Sequence, residues 1–414
     1  MNPAEDIWRA GVAGADAEAL VRRHVSMVAR GVLGAGRHSV GVSGRVWLFG
    51  AGKAAIGMAR GVAAVVDVAG GLLVGDGEGA PVPVIPGAHP FPDGRSVAAA
   101  DRMLAEIGRV PPQDLVIAVW SGGGSSLLGA PIDGLTPDEL AGIGRTLLDA
   151  GAPITDVNAV RRRLGRAAGG RLRAASKAPI LNLALSDVPG AGERWADDPV
   201  HHATIASGPA VRDPTTREDA AQILRDHGLE RFVGALGADV DVPRSPYLVV
   251  GNAESAVHTA SHRARQLGWV PLVVSAHETA PVADVVSRLL AALRTVAGGP
   301  PMALIVAGEP SLRVEGVGVG GRSSHAAALF ARELAAQGMD AVAACGGTDG
   351  VDGRSAAAGG VVDRTSADST LDAAIAGFDT ATWLDRRGCA LVSGPTGTQV
   401  GDLWVVLAGS PPTG

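Results

Sequence analysis

Short segments that are apolar at every position recur along this chain, and glycine, serine or acidic residues follow most of them. Continuous apolarity indicates strands covered on both faces, which is typical of the parallel sheets of α/β proteins. We therefore predict strands at residues 46–49, 115–120, 180–185, 247–250, 272–274, 302–306, 341–345 and 389–392. Because ligands of such folds bind at the carboxyl ends of strands, the residues that follow these segments are the first candidates for a functional site.

A chain of 414 residues, 46% of them hydrophobic, is long enough for two or three domains with separate cores. The segment 236–246, rich in glycine, aspartate and proline, is the best candidate boundary. We predict α/β domains with largely parallel sheets at residues 1–240 and 241–414. Apolar spacings of three and four predict an amphipathic helix over residues 15–34.

The composition excludes several classes of protein. The net charge is −6 and no segment combines arginines with aromatic residues, so we expect no nucleic-acid partner. The acidic start and the lack of any run of about 18 apolar residues predict a cytoplasmic protein without a membrane partner. Cys345 and Cys389 lie far apart in apolar segments, which favours reduced thiols over a disulfide and excludes a multi-cysteine metal site.

The chain holds 36 lysines and arginines, yet only Lys53 and Lys177 are lysines. Lys53 stands in a glycine turn directly after the first predicted strand, whereas Lys177 lies in a polar stretch typical of a solvated surface. A compact ammonium reaches into a phosphate cluster as a point charge, which the bulkier arginine fork does less well. We therefore predict that Lys53 contacts a phosphate; the alternative is a surface lysine kept by chance.

The same turn also matches a dinucleotide-binding pattern. Residues 50–55, Gly-Ala-Gly-Lys-Ala-Ala, fit G-x-G-x-x-A, and Asp76 follows the next apolar segment at nearly the expected distance. A nicotinamide-dependent oxidoreductase is therefore a competing hypothesis. A lysine is unusual inside such a turn, and this hypothesis leaves the other glycine clusters without a role.

A second cluster, Ser121-Gly122-Gly123-Gly124-Ser125, lies between a predicted strand and a predicted helix. Successive backbone N–H groups in such a loop form a cradle for an anion. The alternative is a plain flexible turn. Here we call residues 121–125 the serine-glycine loop.

Carboxylates follow two other predicted strands, and one arginine follows a glycine-rich turn and precedes a predicted helix. Asp187 could hold Mg²⁺ or accept a hydroxyl proton, although it could equally cap a helix. Asp349 and Asp352 lie on one glycine-bracketed loop and could approach a single cation, the alternative being a solvated turn. Arg322 could stabilise the charge of a transferring phosphate or simply start a helix in solvent.

Taken in order, these clusters resemble the type II glycerate 2-kinases, which have a glycerate kinase N-terminal domain and a MOFRL C-terminal domain. The likeness runs over almost the whole chain. It rests on residues 52–55, 89–93 with Ser96, 121–125, 158–161, 186–188, 205–209, 320–322, 348–353 and 394–398.

The resemblance implies a Rossmann-like N-terminal domain and a MOFRL-like C-terminal domain facing a cleft that holds the active site. The implied reaction is Mg²⁺-dependent transfer of the ATP γ-phosphoryl group to the 2-hydroxyl of D-glycerate, giving 2-phosphoglycerate and ADP. Some relatives have also carried a hydroxypyruvate reductase label, which matches the NAD(P)H-dependent alternative. A homodimer is compatible with the sequence.

On this reading Lys53, Arg322, Asp187 and Asp349 are the catalytic candidates. Mg²⁺ ligands would come from Asp187, Asp349 and Asp352. Arg161 and Arg322 are alternative clamps for the carboxylate of the acceptor. The substrate-binding candidates are Ser121, Gly122, Gly123, Gly124, Ser125, Asn158, Arg161 and Ser207.

Several positions depart from the family pattern. Either the acceptor pocket has been rebuilt for another small hydroxy acid, or the chain is a catalytically weakened relative that binds nucleotide or hydroxy acid. The departures are Arg163-Leu164-Gly165, Ala168 before a glycine pair, Ser323-Ser324-His325, Gln399-Val400-Gly401-Asp402, and a longer segment after Val188 with Trp195, Asp197, Asp198, His201 and His202.

Overall fold

A computed structural model describes residues 2–190, 198–296 and 298–411. The chain forms two compact units. The first contains Ala17–Ser186 and the chain up to Val250; the second contains the N-terminal residues up to Asp16, a short segment that begins at Asp187, and Gly251–Gly414. Each unit has a six-stranded sheet, so the predicted two-domain α/β fold is confirmed. The division at residues 240 and 241 stays a prediction.

Each of the eight predicted strand segments overlaps a strand. The described residues form the strands β1 (Val25–Ala29), β2 (Val32–Ala35), β3 (His38–Gly41), β4 (Val46–Ala51), β5 (Val68–Val74), β6 (Val84–Ile85), β7 (Leu115–Trp120), β8 (Ile180–Leu185), β9 (Tyr247–Gly251), β10 (Val270–Glu278), β11 (Met302–Gly308), β12 (Ala341–Gly347), β13 (Gly359–Asp363), β14 (Ala390–Leu391) and β15 (Asp402–Ala408). The unpredicted strands are β1, β2, β3, β5, β6, β13 and β15.

Helices connect most of these strands. They are α1 (Pro3–Gly14), α2 (Ala17–His24), α3 (Ala55–Ala63), α4 (Gly94–Ile107), α5 (Gly124–Leu127), α6 (Pro137–Asp149), α7 (Ile154–Leu164), α8 (Arg171–Ala175), α9 (Pro199–Thr204), α10 (Arg217–Asp226), α11 (Ala253–Gln266), α12 (Val282–Val296), α13 (Arg322–Ala336), α14 (Leu371–Ala376) and α15 (Thr380–Arg386). Short 3-10 helices occupy Ile205–Ser207 and Glu230–Ala235. None of the helices in the described ranges combines the length and the apolar character that crossing a membrane requires.

The sheet of the first unit has the strand order β6-β5-β4-β7-β8-β9. The pairs β5–β6, β4–β5, β4–β7 and β7–β8 are parallel. In the central pair Ala51 lies opposite Trp120, so β4 and β7 end side by side. The Lys53 turn and the serine-glycine loop therefore leave the sheet at the same edge.

The single helix predicted over residues 15–34 is wrong. Helix α2 ends at His24, and residues 25–41 form the antiparallel sheet β1-β2-β3. The reversal between β1 and β2 passes through Gly31, whose φ of 73° favours glycine. Because Val25, Val28 and Val32 are β-branched, their side chains suit a strand as well as the helical spacing that they also satisfy.

The sheet of the second unit has the order β10-β11-β15-β12-β13-β14. The pair β10–β11 is parallel, whereas β15 runs antiparallel to both of its neighbours. Asp402, the first residue of β15, therefore lies opposite both Gly308 at the end of β11 and Gly347 at the end of β12. The residues that follow β11 and β12 are thus gathered around Asp402.

Apolar packing fixes the helices that carry candidate residues. In the first unit α7 packs with α6 and α10 through a cluster that includes Leu147, Val160 and Leu224. In the second unit α13 packs with α12 against the sheet, and Phe330 is fully buried there. Both cysteines are free thiols, as predicted, although Cys345 is buried and Cys389 is partly exposed.

Candidate active site

The turn after β4 is held by the loop after β7. Lys53 N–H donates to Gly122 O at 2.9 Å, and Ala54 N–H donates to Ser121 Oγ at 3.0 Å. Gly52 has a φ of 133°, and an added Cβ there would overlap Ser121 Oγ and lie 2.7 Å from Ser121 O. Only glycine therefore permits this close approach of the two loops.

The hydrogen bonds of this turn also test the alternative hypothesis that it binds a dinucleotide. Besides the two amides just described, Gly52 N–H donates to Val74 O and Ala55 N–H donates to Gly52 O, both at 3.2 Å. A pyrophosphate on a Rossmann turn needs the loop to be open and its amides to be available. Since the protein uses all four amides from Gly52 to Ala55, the glycine pattern here serves loop packing, and the geometry disfavours a dinucleotide.

In the serine-glycine loop, by contrast, two backbone amides are available to a ligand. Within the described part of the chain, the amides of Gly122 and Gly123 donate to no protein acceptor. Gly123 has a φ of 86°, and an added Cβ would lie 3.5 Å from Lys53 Cγ and 3.3 Å from His89 Cδ2. The structure thus brings Lys53, which is exposed, next to two available amides, a combination suited to an anion.

Two further substrate-binding candidates, Ser207 and Asn158, meet at Ser125, the last residue of this loop. Ser207 Oγ lies 2.8 Å from Ser125 Oγ and 3.3 Å from Asn158 Oδ1. Ala206 and Ser207 both adopt left-handed backbone angles, with φ of 52° and 58°. Such conformations in residues other than glycine cost about 1–3 kcal/mol each and cluster at functional sites. Sequence reasoning selected Ser207 but could not detect this strain.

Arg161 lines a pocket in the first unit, which we call the Arg161 pocket. Ser125, Ser207, Leu128, Leu140 and Ala168 also line it. Burial lowers the pKa of the Arg161 guanidinium, and no ion pair or hydrogen bond to it occurs among the described residues. A desolvated cation of this kind is stabilised by an anionic ligand, which agrees with the predicted carboxylate clamp.

The next two arginines of α7 have a different role. Arg162 and Arg163 are almost fully buried, and their Nε atoms lie 2.7 and 3.0 Å from the two oxygens of Asp213. Arg163 also pairs with the exposed carboxylate of Asp239. Sequence analysis missed this network, for which the run of three arginines was the available signal. Arg163, one of the departures from the family pattern, therefore belongs to a network of ion pairs that stabilises the fold.

In the second unit Arg322 begins α13 and is not a solvated helix start. Its guanidinium pairs with Glu309, and its Nε lies 2.9 Å from Asp402 Oδ2. Burial alone lowers the pKa of Arg322, but the charges of Asp402 and Glu309 raise it above the ordinary value. Burial raises the pKa of Asp402 to about 7, opposed by Arg322 and reinforced by Glu309. Sequence analysis assigned no role to Glu309 or Asp402.

The two aspartates of the 348–353 loop differ in their surroundings. Asp352 is buried and caps α13, accepting from Ser324 N–H at 2.7 Å, Gly321 N–H at 3.0 Å and Ser323 N–H at 3.1 Å. Burial raises its pKa, while these hydrogen bonds oppose the rise. Asp349 is partly exposed and accepts from the amide two residues later at 3.1 Å. A metal-binding role of either aspartate stays a prediction.

The altered residues after Arg322 are packed inside the second unit. The His325 ring stacks on Phe378 with centroids 5.0 Å apart, and burial lowers its pKa, so it is neutral at pH 7. Ser323 Oγ accepts from Trp404 Nε1 at 3.1 Å. These side chains therefore contribute to packing.

Asp187 follows β8 and is partly exposed. Downstream, Asp198 caps α9 through Val200 N–H at 2.9 Å, and His201 Nε2 lies 3.1 Å from Ser186 Oγ. Trp195 and Asp197, which belong to the longer segment noted in the sequence, lie outside the described residues. In the ranges that the structure describes, no three His, Cys, Asp or Glu side chains are grouped to hold a metal ion.

Comparison of the sequence with known proteins identifies the family of this chain. Residues 3–236 match a domain of unknown function, DUF4147, and residues 302–402 match the MOFRL family. A D-glycerate 2-kinase from Thermotoga maritima is 32% identical over 390 residues, 88% of this chain and 90% of the relative. A protein from Agrobacterium vitis named "Putative hydroxypyruvate reductase" is 33% identical over 396 residues, 88% of each chain.

A solved structure agrees with the sequence relatives. The crystal structure of a glycerate kinase from Thermotoga maritima matches with a TM-score of 0.78 and 26% identity, covering 98% of this chain and 99% of that one. The DUF4147 match alone spans more than half of the chain. The chain therefore belongs to the type II glycerate 2-kinase family.

Proposed function

We propose that this protein is an ATP-dependent kinase that phosphorylates the 2-hydroxyl of D-glycerate or a related small hydroxy acid. The observation that carries the proposal is the pair of available amides, Gly122 and Gly123, beside Lys53 at the ends of two adjacent parallel strands. The names of the glycerate kinase relatives support it. We place the activity in the cytoplasm, and a homodimer remains part of the proposal.

The proposed reaction is a phosphoryl transfer. The 2-hydroxyl oxygen of the acceptor forms a bond to the γ-phosphorus of ATP, the bond from that phosphorus to the β,γ-bridging oxygen breaks, and ADP leaves. The hydroxyl proton goes to a carboxylate, for which Asp187 and Asp349 are the candidates. Such transfers depend mainly on positioning and charge stabilisation.

The first unit supplies the anion-binding groups in this proposal. Lys53 and the serine-glycine loop bind phosphate oxygens, and Ser125, Ser207 and Asn158 position the acceptor. Of the two arginines considered for the acceptor carboxylate, Arg161 is preferred because it has no acidic partner in the described residues.

Arg322 has a different proposed role. Two carboxylates already neutralise its charge, so it suits an acceptor clamp less well than Arg161. Burial raises the pKa of Asp402 above its ordinary value, which favours its protonated form. Glu309 still balances the charge of Arg322 in that state, so we propose that Arg322 acts on the transferring phosphoryl group through the N–H donors of its guanidinium.

The residues present are compatible with Mg²⁺. Magnesium in kinases usually binds through one or two carboxylates together with substrate phosphates and water, so three grouped protein ligands are not required. We propose Asp349 and Asp187 as holders, with Asp352 less suited because its oxygens cap α13. When bound, the ion would neutralise phosphate charge.

The test is ADP release from Mg-ATP with D-glycerate, with identification of the phosphorylated product. Lys53→Ala should abolish most of the turnover. The names of some relatives favour a hydroxypyruvate reductase as the second candidate, so NADH oxidation with hydroxypyruvate is measured in parallel. NADH oxidation without ADP release would overturn the kinase; ATP binding without either reaction would indicate a weakened relative.

A further inference from the structure

A second pocket of the first unit lies apart from the residues proposed for catalysis. Its volume is about 400 Å³, which is enough for a small ligand. As far as the described residues define its lining, it includes none of the catalytic or substrate-binding candidates. We call it the arginine pocket, after the commonest of its charged lining residues. These are Arg163, Arg171, Arg212, Asp213 and Asp239.

The lining of the arginine pocket carries an excess of positive charge. Its three arginines stand against two aspartates, an excess of one charge. Asp213 is also neutralised by Arg162, which does not line the pocket and whose Nε lies 2.7 Å from the carboxylate. With Arg162 included, four guanidinium groups stand against two carboxylates, and the excess is two charges.

The three lining guanidinium groups lie around one carboxylate. Arg163 donates a hydrogen bond to Asp239, which lowers the pKa of that carboxylate, and the charges of Arg212 and Arg171 lower it further. All three arginines are therefore within electrostatic reach of the same point. Since Asp239 is 79% exposed, an anion from solvent has access to this point.

Arg171 and Arg212 pair with no acid in the described part of the chain. Arg171 is half-buried and donates only to backbone carbonyls, including Arg162 O at 2.8 Å and Ala238 O at 3.1 Å. Burial lowers the pKa of Arg171, and the charge of Arg163 lowers it further. Arg212 is exposed, and its side chain makes no hydrogen bond within the described ranges. An anion can therefore bind both arginines without breaking an ion pair of either.

A phosphate group suits these charges better than a carboxylate or a metal ion. Guanidinium groups bind phosphate oxygens through paired N–H donors, and an excess of two charges matches a dianion. Both aspartates already pair with arginines, which disfavours a cation. The volume of the pocket exceeds what a phosphate group alone occupies, so it leaves room for a small organic group.

We propose that the arginine pocket binds a phosphate group, free or carried by a small monoester, at a site separate from the serine-glycine loop. The inference does not rest on the proposed kinase function. The pocket borders the segment that holds Ser207, because Gly169 lines it and donates its amide to Ser207 O at 3.0 Å. Bound phosphate should therefore slow the exchange of this amide.

The experiment measures the binding of inorganic phosphate and of glycerol 3-phosphate to the full chain by calorimetry. Lys53→Ala is the background, so that the phosphate site proposed at the serine-glycine loop is weakened. We expect both probes to bind this variant, and acetate, a monoanion, to bind about tenfold more weakly. Hydrogen exchange read by mass spectrometry should slow in peptides that contain Gly169 when phosphate is added.

Three substitutions in that background tie binding to the pocket. Arg212→Gln should weaken the binding of both probes about tenfold, and Arg212→Glu should abolish it. Asp239→Asn removes the carboxylate that competes for the arginines, so it should tighten binding about threefold. Arg109→Gln is the control and should leave binding unchanged, because Arg109 is an exposed arginine outside the pocket. Thermal unfolding checks that each variant is folded.

Loss of binding in both Arg212 variants, together with tighter binding in Asp239→Asn, supports the site. Tighter binding of glycerol 3-phosphate than of phosphate assigns a monoester to it, whereas equal affinities assign the free phosphate group. Absence of binding by both probes, or binding that both Arg212 variants leave unchanged, overturns the inference. Equally tight binding of acetate overturns the choice of phosphate.

Discussion

Removing Asp213 should destabilise the first unit by about 3–5 kcal/mol, because it leaves buried arginines without their acid. The Arg162 and Arg163 side chains are only 2% and 3% exposed, and Asp213 is 10% exposed. Arg163 retains Asp239, but that carboxylate is 79% exposed and compensates little. Arg162 retains Ala203 O at 3.2 Å, an uncharged acceptor. We therefore expect Asp213→Ala to lower the free energy of unfolding by about 3 kcal/mol, the lower end of this range.

Hydrogen exchange read by mass spectrometry suits this measurement, since it reports on peptides of the first unit alone. Asp213→Ala should raise exchange throughout α7, and Asp213→Asn should cost less because Thr215 keeps a hydrogen-bond acceptor. Glu106→Gln, which removes an exposed pair on α4, is the control and should cost less than about 1 kcal/mol. If Asp213→Ala costs no more than this control, the argument from buried charge is refuted.

Three further predictions concern the site. Lys53→Arg and Lys53→Ala should lower kcat by about 100-fold with a smaller change in KM; unchanged turnover in steady-state assays would remove Lys53 from the mechanism. Gly52→Ala should lose activity and stability even in combination with Ser121→Gly, because the Ser121 backbone also blocks a Cβ; thermal unfolding and ADP release check this. Asp402 has a folded pKa raised to about 7, so its contribution to stability is present at pH 4 and is lost as the pH rises toward 7. Denaturant unfolding should show this loss relative to Asp402→Asn, and parallel pH profiles would refute it.

The strands β4, β7 and β8 could be predicted because burial on both faces leaves a continuous apolar run. The same run does not reveal strand direction, since β15 is buried on both faces and yet runs antiparallel to its neighbours. Its apolar pattern was available in the sequence. The glycine-rich β13 gave no comparable signal, because glycine has low strand propensity.

Candidate site residues could be predicted from the sequence where they lie together in one short segment. Lys53 and the serine-glycine loop follow directly from turns after strands, and the structure brings them together. The approach of Ser207 to Asn158 and the ion pair of Arg322 with Asp402 depend on tertiary packing and strand register. No local sequence pattern encodes such distances. Asp352 shows that a local pattern can also mislead. Its loop suggested a metal ligand, but in the structure its carboxylate caps α13, which begins about thirty residues earlier in the chain.

The most direct test of the proposed kinase activity is product analysis after incubation with Mg-ATP and D-glycerate. We expect equal amounts of ADP and of the acid phosphorylated at its 2-hydroxyl, and we expect both to be lost in Lys53→Ala and in Arg161→Gln. Absence of a phosphorylated acid from the wild-type reactions, or undiminished product in the Lys53 variant, would contradict it.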